Sequence, residues 1–98
     1  MSDNHIDFLN TLETVIESRK VANADESYTA KLFSAGASRI SQKLGEEGVE
    51  LALANVQQNR AAIVSESADL IYHLLVLLRS NDIRLDEVVG ELEARHYL

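Results

Sequence analysis

From Ile6 onward the apolar positions recur at the three- and four-residue intervals of a helix. Ile6, Leu9, Leu12 (or Glu13) and Ile16, supported by Phe8 and Val15, predict a helix from about Ile6 to Val21. Asn4 precedes it as an N-cap and Asp7 falls in its first turn, where a negative charge is favoured. The polar stretch Asn23 to Ser27 breaks the pattern and reads as a loop. Ser27 caps a short helix through about Ala35, and Gly36 stands where a helix C-terminus favours a left-handed residue. A second long helix is predicted from about Ala37 to Gln57. Ile40, Leu44, Leu51 and Val56 point to a core, Gly48 and Ala52 allow close approach, and Lys43, Glu47, Glu50 and Ala54 make the other face. Asn55 to Asn59 closes that helix, and Asn59 caps a third from about Arg60. Ser80-Asn81-Asp82 is a turn. Leu85, Val88, Val89 and Leu92 then repeat at helical spacing and give a last helix to about Arg95. No strand-like alternation competes.

The stretch from Ser65 to Leu78 organises the rest. Between Leu70 and Leu78 only Tyr72 and His73 interrupt the apolar run. Ile71, Leu74, Leu75 and Leu78 form one face, and Leu70 and Leu77 fill much of what remains. A helix apolar nearly all round is a buried helix. Glu66, Asp69 and His73 share another face of it. Two carboxylates carried by a buried helix need a basic partner or a metal ion, because an unpaired buried charge is expensive.

Length and composition narrow the picture. A chain of 98 residues allows one domain, spanning 1–98, whose small core gains from helix pairing between subunits. Apolar residues make up 46% of the chain, too many for a disordered segment. The lack of proline and the presence of only four glycines favour long helices, and the lack of cysteine removes disulfides and thiolate zinc sites. The polar start, Ser2-Asp3-Asn4, shows no secretory signal, and the run Leu70–Leu78 is too short to span a bilayer. The expectation is a soluble cytoplasmic protein with no membrane partner. A formal charge of −7 argues against a nucleic-acid partner, which requires a Lys/Arg footprint. It leaves room for a small phosphorylated substrate, since an acidic cluster holds divalent cations that attract phosphate.

Such a cluster is present. Glu46, Glu47 and Glu50 lie within one turn of the second long helix, and a short loop makes that helix the antiparallel neighbour of the one bearing Glu66 and Asp69. Carboxylates facing one another repel unless a cation sits between them. Hard oxygen donors of this kind suit Mg²⁺ or Mn²⁺ rather than zinc or copper. The plainer alternatives are a solvated acidic face for Glu46, Glu47 and Glu50, and an ion pair of Glu66 or Asp69 with Arg39, Lys43 or Arg60. His73 is expected to orient a carboxylate rather than to ligate. His5 and His96 are expected at the surface, and Tyr28, Tyr72 and Phe33 as core or edge aromatics.

Glu47-x-x-Glu50 followed by Glu66-x-x-Asp69 resembles the metal-binding signature of the all-α NTP pyrophosphatase (MazG-type) superfamily. Three stretches are more narrowly similar to the phosphoribosyl-ATP pyrophosphatases of histidine biosynthesis. They are Ser27-Tyr28-Thr29-Ala30-Lys31-Leu32, then Gly36 with Lys43-Leu44-Gly45-Glu46-Glu47, then Ala68-Asp69-Leu70-Ile71-Tyr72-His73-Leu74-Leu75. Departures are small: Gly48 stands where the family more often has alanine, and Ser65 where a further glutamate is common.

The resemblance implies an all-α bundle of four to five helices completed by dimerisation, as a homodimer or a dimer of dimers. It implies Mg²⁺-dependent hydrolysis of 1-(5-phosphoribosyl)-ATP to the AMP derivative and pyrophosphate, the second step of histidine synthesis. Glu47, Glu50, Glu66 and Asp69 are then the metal ligands, and Glu46 or Glu47 the general base. Lys43 is one turn before Glu46 and Glu47 and reaches a phosphate, with Lys31 and Arg39 as weaker phosphate candidates. The rival readings are a house-cleaning pyrophosphatase acting on ordinary or damaged nucleoside triphosphates, a non-catalytic helical interaction module, and a purely structural bundle.

Overall fold

A computed structural model describes residues 4–95; Ser2, Asp3 and His96, for which expectations were stated above, lie outside them. The described residues form α1 (Phe8–Ser18), α2 (Tyr28–Ala35), α3 (Ala37–Val56), α4 (Arg60–Ser80) and α5 (Leu85–Arg95), with no strand among them. The fold is all-α. The helix expected over Ile6 to Val21 is α1 with a 3-10 turn at each end, His5–Asp7 and Arg19–Val21.

Local chemistry sets the boundaries. The Asn4 side chain accepts from the Ile6 N–H at 2.9 Å, Ser27 Oγ from Ala30 at 3.0 Å and Asn59 Oδ1 from Ala62 at 3.1 Å. Each satisfies a donor that the first turn of a helix leaves open. Gly36 ends α2 and starts α3 at φ 92° and ψ −174°, a region that only glycine enters without strain. The start of α5 is held from a distance. Glu13 Oε2 on α1 accepts from the Leu85 N–H at 2.7 Å, across 72 residues of sequence.

α3 and α4, joined by residues 57–59, pack along one another as a helical hairpin, the most extensive helix contact among the described residues. The core sits where the C-terminal half of α4 meets α1, α2 and the start of α3. Ile16, Leu32, Ile40, Leu75 and Val76 are buried there, with Leu12, Phe33, Tyr72 and Leu85 packed against them. Among the described residues, no third layer covers the other end of the hairpin. Val49, Leu53, Val56 and Val64 remain exposed on it.

This arrangement corrects the expected faces of α3. Its inward stripe is Ile40, Leu44, Glu47, Leu51 and Ala54, with Ile40, Glu47 and Ala54 buried. Glu47 and Ala54 are therefore on the packed side. Val56, expected in the core, is 78% exposed because two residues beyond Ala54 the helix has turned past its packed edge. On α4, Ile71 is likewise more exposed than expected, while Leu75 and Val76 are fully enclosed. By length and composition alone α4 is long and apolar enough to cross a membrane. Here its buried residues are packed against the other helices of the fold, as in a core helix.

Candidate metal centre

The inward position of Glu47 brings it against α4. Glu47, Glu66 and Asp69 each present a carboxylate oxygen within 4.8 Å of the other two. Glu47 is 6% exposed, Glu66 is half-buried and Asp69 opens to solvent, so the group is a cleft with a closed floor. Two oxygens at that floor, Glu47 Oε2 and Glu66 Oε2, are buried with no hydrogen-bond partner. Orphaned buried carboxylate oxygens are costly, and three carboxylates this close repel. A hard divalent cation answers both defects, and the donors, all carboxylate, fit Mg²⁺ or Mn²⁺ better than a soft metal.

The other candidate residues are not members of this group. Glu50 is not part of the group: it lies one turn along α3 on the exposed side, beside Glu46 and Val49. Three residues along a helix rotate a side chain by about 60° from the first, enough to carry Glu50 from the packed face to its flank. Glu46 is also exposed, where Gln42 Nε2 donates to it at 3.1 Å. Lys43 Nζ lies 3.4 Å from Glu47 Oε1 and 3.5 Å from Glu46 Oε1. Partial desolvation works against its charge. The nearby Tyr28 phenol and the Glu47 and Glu46 carboxylates outweigh this and hold its pKa above the usual lysine value. Lys31 and Arg39 are exposed. The plainer alternative, an ion pair of Glu66 or Asp69 with Arg39, Lys43 or Arg60, is not formed among the described residues.

His73 bonds directly to no carboxylate side chain among the described residues. It is buried, its Nδ1 lies 2.7 Å from the Asp69 backbone oxygen, and its Nε2 lies 3.1 Å from the Tyr28 hydroxyl. A carbonyl only accepts, so Nδ1 carries the proton; in the neutral ring Nε2 then accepts from Tyr28. The Tyr28 ring stacks on Tyr72 at 6.2 Å, and the Tyr72 and Thr29 hydroxyls bond to each other. Burial pushes the Tyr72 phenol above its ordinary pKa, against the lowering effect of Thr29. Reading Tyr28 and Tyr72 as simple core or edge aromatics missed this role. Together with Thr29 they tie α2 to the helix that carries Glu66 and Asp69. The signal was available in the polar tips of Tyr28, Thr29, Tyr72 and His73, since buried hydroxyls and imidazoles seek partners.

The chain is similar to known proteins over most of its length. A family model described as phosphoribosyl-ATP pyrophosphohydrolase matches residues 9–96. The phosphoribosyl-ATP pyrophosphatase of Methylobacterium nodulans is 52% identical over 84 residues, 86% of this chain and 78% of that protein. The histidine biosynthesis bifunctional protein HisIE of Vibrio parahaemolyticus is 53% identical over 89 residues, 91% of this chain and 42% of that protein. Its counterpart in Yersinia pestis is 51% identical over 89 residues, 91% of this chain and 44% of that protein. The chain thus spans less than half the length of these bifunctional relatives.

Proposed function

Because the chain belongs to the phosphoribosyl-ATP pyrophosphohydrolase family, we propose that it hydrolyses 1-(5-phosphoribosyl)-ATP to 1-(5-phosphoribosyl)-AMP and pyrophosphate, the second step of histidine synthesis, in the cytoplasm. The observation that carries this reading is the carboxylate group itself, with its two buried oxygens that lack any partner.

Glu47, Glu66 and Asp69 would hold Mg²⁺, with Mn²⁺ as a substitute. Glu50 is the fourth ligand candidate, the one whose exposed side chain must move to join. A divalent ion bound there supplies charge compensation for the triphosphate oxygens and for the pyrophosphate leaving group. The chain's own residues do the rest. With Glu47 committed to the cation, Glu46, exposed and held only by Lys43 and Gln42 among the described residues, is the carboxylate that takes a proton from the attacking water. The water oxygen forms the new bond to phosphorus as the phosphoanhydride bond breaks, and pyrophosphate departs with the bonding electron pair. Lys43 donates to phosphate oxygens, and the exposed Lys31 and Arg39 are the weaker candidates for attracting the substrate's phosphates. The Tyr28–His73 bond keeps α2, which bears Lys31, seated against α4.

The protein works as a homodimer or a pair of dimers. The exposed apolar residues on the open side of the α3–α4 hairpin support this.

The test is an assay of pyrophosphate release from phosphoribosyl-ATP, run beside a panel of deoxynucleoside triphosphates. Glu47→Gln and Asp69→Asn are each expected to abolish Mg²⁺-dependent release while leaving helical circular dichroism intact. Turnover retained in both variants would remove these residues from the site. Equal turnover of ordinary triphosphates would replace the substrate.

A further inference from the structure

Lys43 stands in an unusual relation to the carboxylate group. Its ammonium faces Glu47 Oε1 and Glu46 Oε1 at 3.4 and 3.5 Å, longer than a charge-assisted hydrogen bond of about 2.8 Å. It divides itself between one buried carboxylate and one exposed one, and it leaves Glu47 Oε2 and Glu66 Oε2 without partners. It is the one cationic group paired with any member of the triad among the described residues.

We propose that Lys43 is a placeholder cation: it neutralises Glu47 until a divalent ion enters, is displaced by that ion, and is thereby freed to bind the substrate's phosphates. This deepens the proposed function and rests on the triad being a metal centre. The physical case is one of competition at a single carboxylate. A doubly charged ion in direct contact with three carboxylates outweighs one loosely held, partly exposed ammonium. Once displaced, Lys43 keeps only Glu46, whose side chain is 45% exposed and binds it weakly. Its donors are then free to turn toward an anion over the cleft. Phosphate binding through Lys43 therefore follows metal loading. The exchange also spares the empty protein part of the repulsion among its carboxylates, at the cost of some metal affinity.

Calorimetric titration of the full chain with Mn²⁺ tests this without turnover. Lys43→Met and Lys43→Gln are expected to bind Mn²⁺ about two- to fivefold more tightly than the wild type, the factor expected for a partly exposed ion pair. Inorganic pyrophosphate should bind the Mn²⁺-loaded variants more weakly than the loaded wild type. Arg84→Met, in the turn before α5, makes the same charge change without an ion pair to the triad, and its Mn²⁺ affinity should stay at the wild-type value. Unchanged or weaker Mn²⁺ binding by both Lys43 variants overturns the proposal, as does equal tightening in Arg84→Met, which would reduce the effect to net charge. A wild type that binds Mn²⁺ while the Lys43 variants gain nothing removes the placeholder alone. A wild type that takes up no Mn²⁺ removes the metal centre and the placeholder with it.

Discussion

At the scale of single residues, the notable property of this protein is a stability cost concentrated in one place. Three carboxylates approach within 4.8 Å, and two of their oxygens are buried without partners. A fold this small has only a few kcal/mol in reserve, so such a defect is measurable. Glu66→Gln removes one negative charge and brings in an amide that donates to its neighbours. In EDTA this variant is expected to melt at a higher temperature than the wild type. With saturating Mg²⁺ the order reverses, because binding to the folded state alone stabilises it by about 2.7 kcal/mol at a hundredfold excess over Kd, and the variant forfeits most of that gain. Thermal melts with and without Mg²⁺ check both halves. A variant less stable than wild type in EDTA would mean that Glu66 serves packing rather than a cation.

At the scale of helices, the same residue type does opposite things at two positions. Gly36 sits at φ 92° between α2 and α3, where any side chain is strained. Gly36→Ala is expected to cost about 1–3 kcal/mol. Gly48 lies inside α3 with nothing within 4 Å of where a Cβ would stand. Gly48→Ala is expected to gain about 1 kcal/mol by helix propensity. Denaturant unfolding of the two variants measures both signs at once. Gly36 shows what is legible in a linear pattern: helix ends are local chemistry, and Asn4, Ser27, Gly36 and Asn59 act where their residue types say they act. Faces are legible only where one element buries them. On α3 periodicity places Ile40, Leu44 and Leu51 on the inward stripe, but it reads Glu47, a buried charge in that same stripe, as outward. Periodicity reads Val56 inward for the converse reason: it is an apolar residue on a face that the other described residues leave exposed. The long-range ties, Glu13 to Leu85 and Tyr28 to His73, join elements far apart in sequence and leave no local periodic trace.

At the scale of the whole molecule, the open side of the α3–α4 hairpin remains to be explained. Val49, Leu53 and Val56 on α3 and Val64 and Ile71 on α4 are between 42% and 78% exposed. Exposed small residues lie among them, Gly45 and Ala52 on α3 and Ala61 and Ala68 on α4. Small residues interspersed with β-branched and leucine side chains let helices approach to about 8 Å, and two such hairpins face to face make a four-helix bundle. A stable pair needs about 1,200 Å² of buried surface, within reach of two helices of 20 and 21 residues. A second copy of the same surface is the self-complementary partner that two-fold symmetry supplies. Leu53→Glu combined with Val56→Glu places carboxylates on this face, clear of the Glu47–Glu66–Asp69 cleft. In sedimentation equilibrium the wild type is expected as a dimer or a pair of dimers and this variant as a monomer with reduced thermal stability. A variant that sediments with the wild type would move the subunit contact to another surface. A monomeric wild type would leave these residues as ordinary exposed apolar surface. A stable dimer through this face also accounts for α4: a helix apolar nearly all round, with one side on α1 and α2, one on α3, and the last against its symmetry mate.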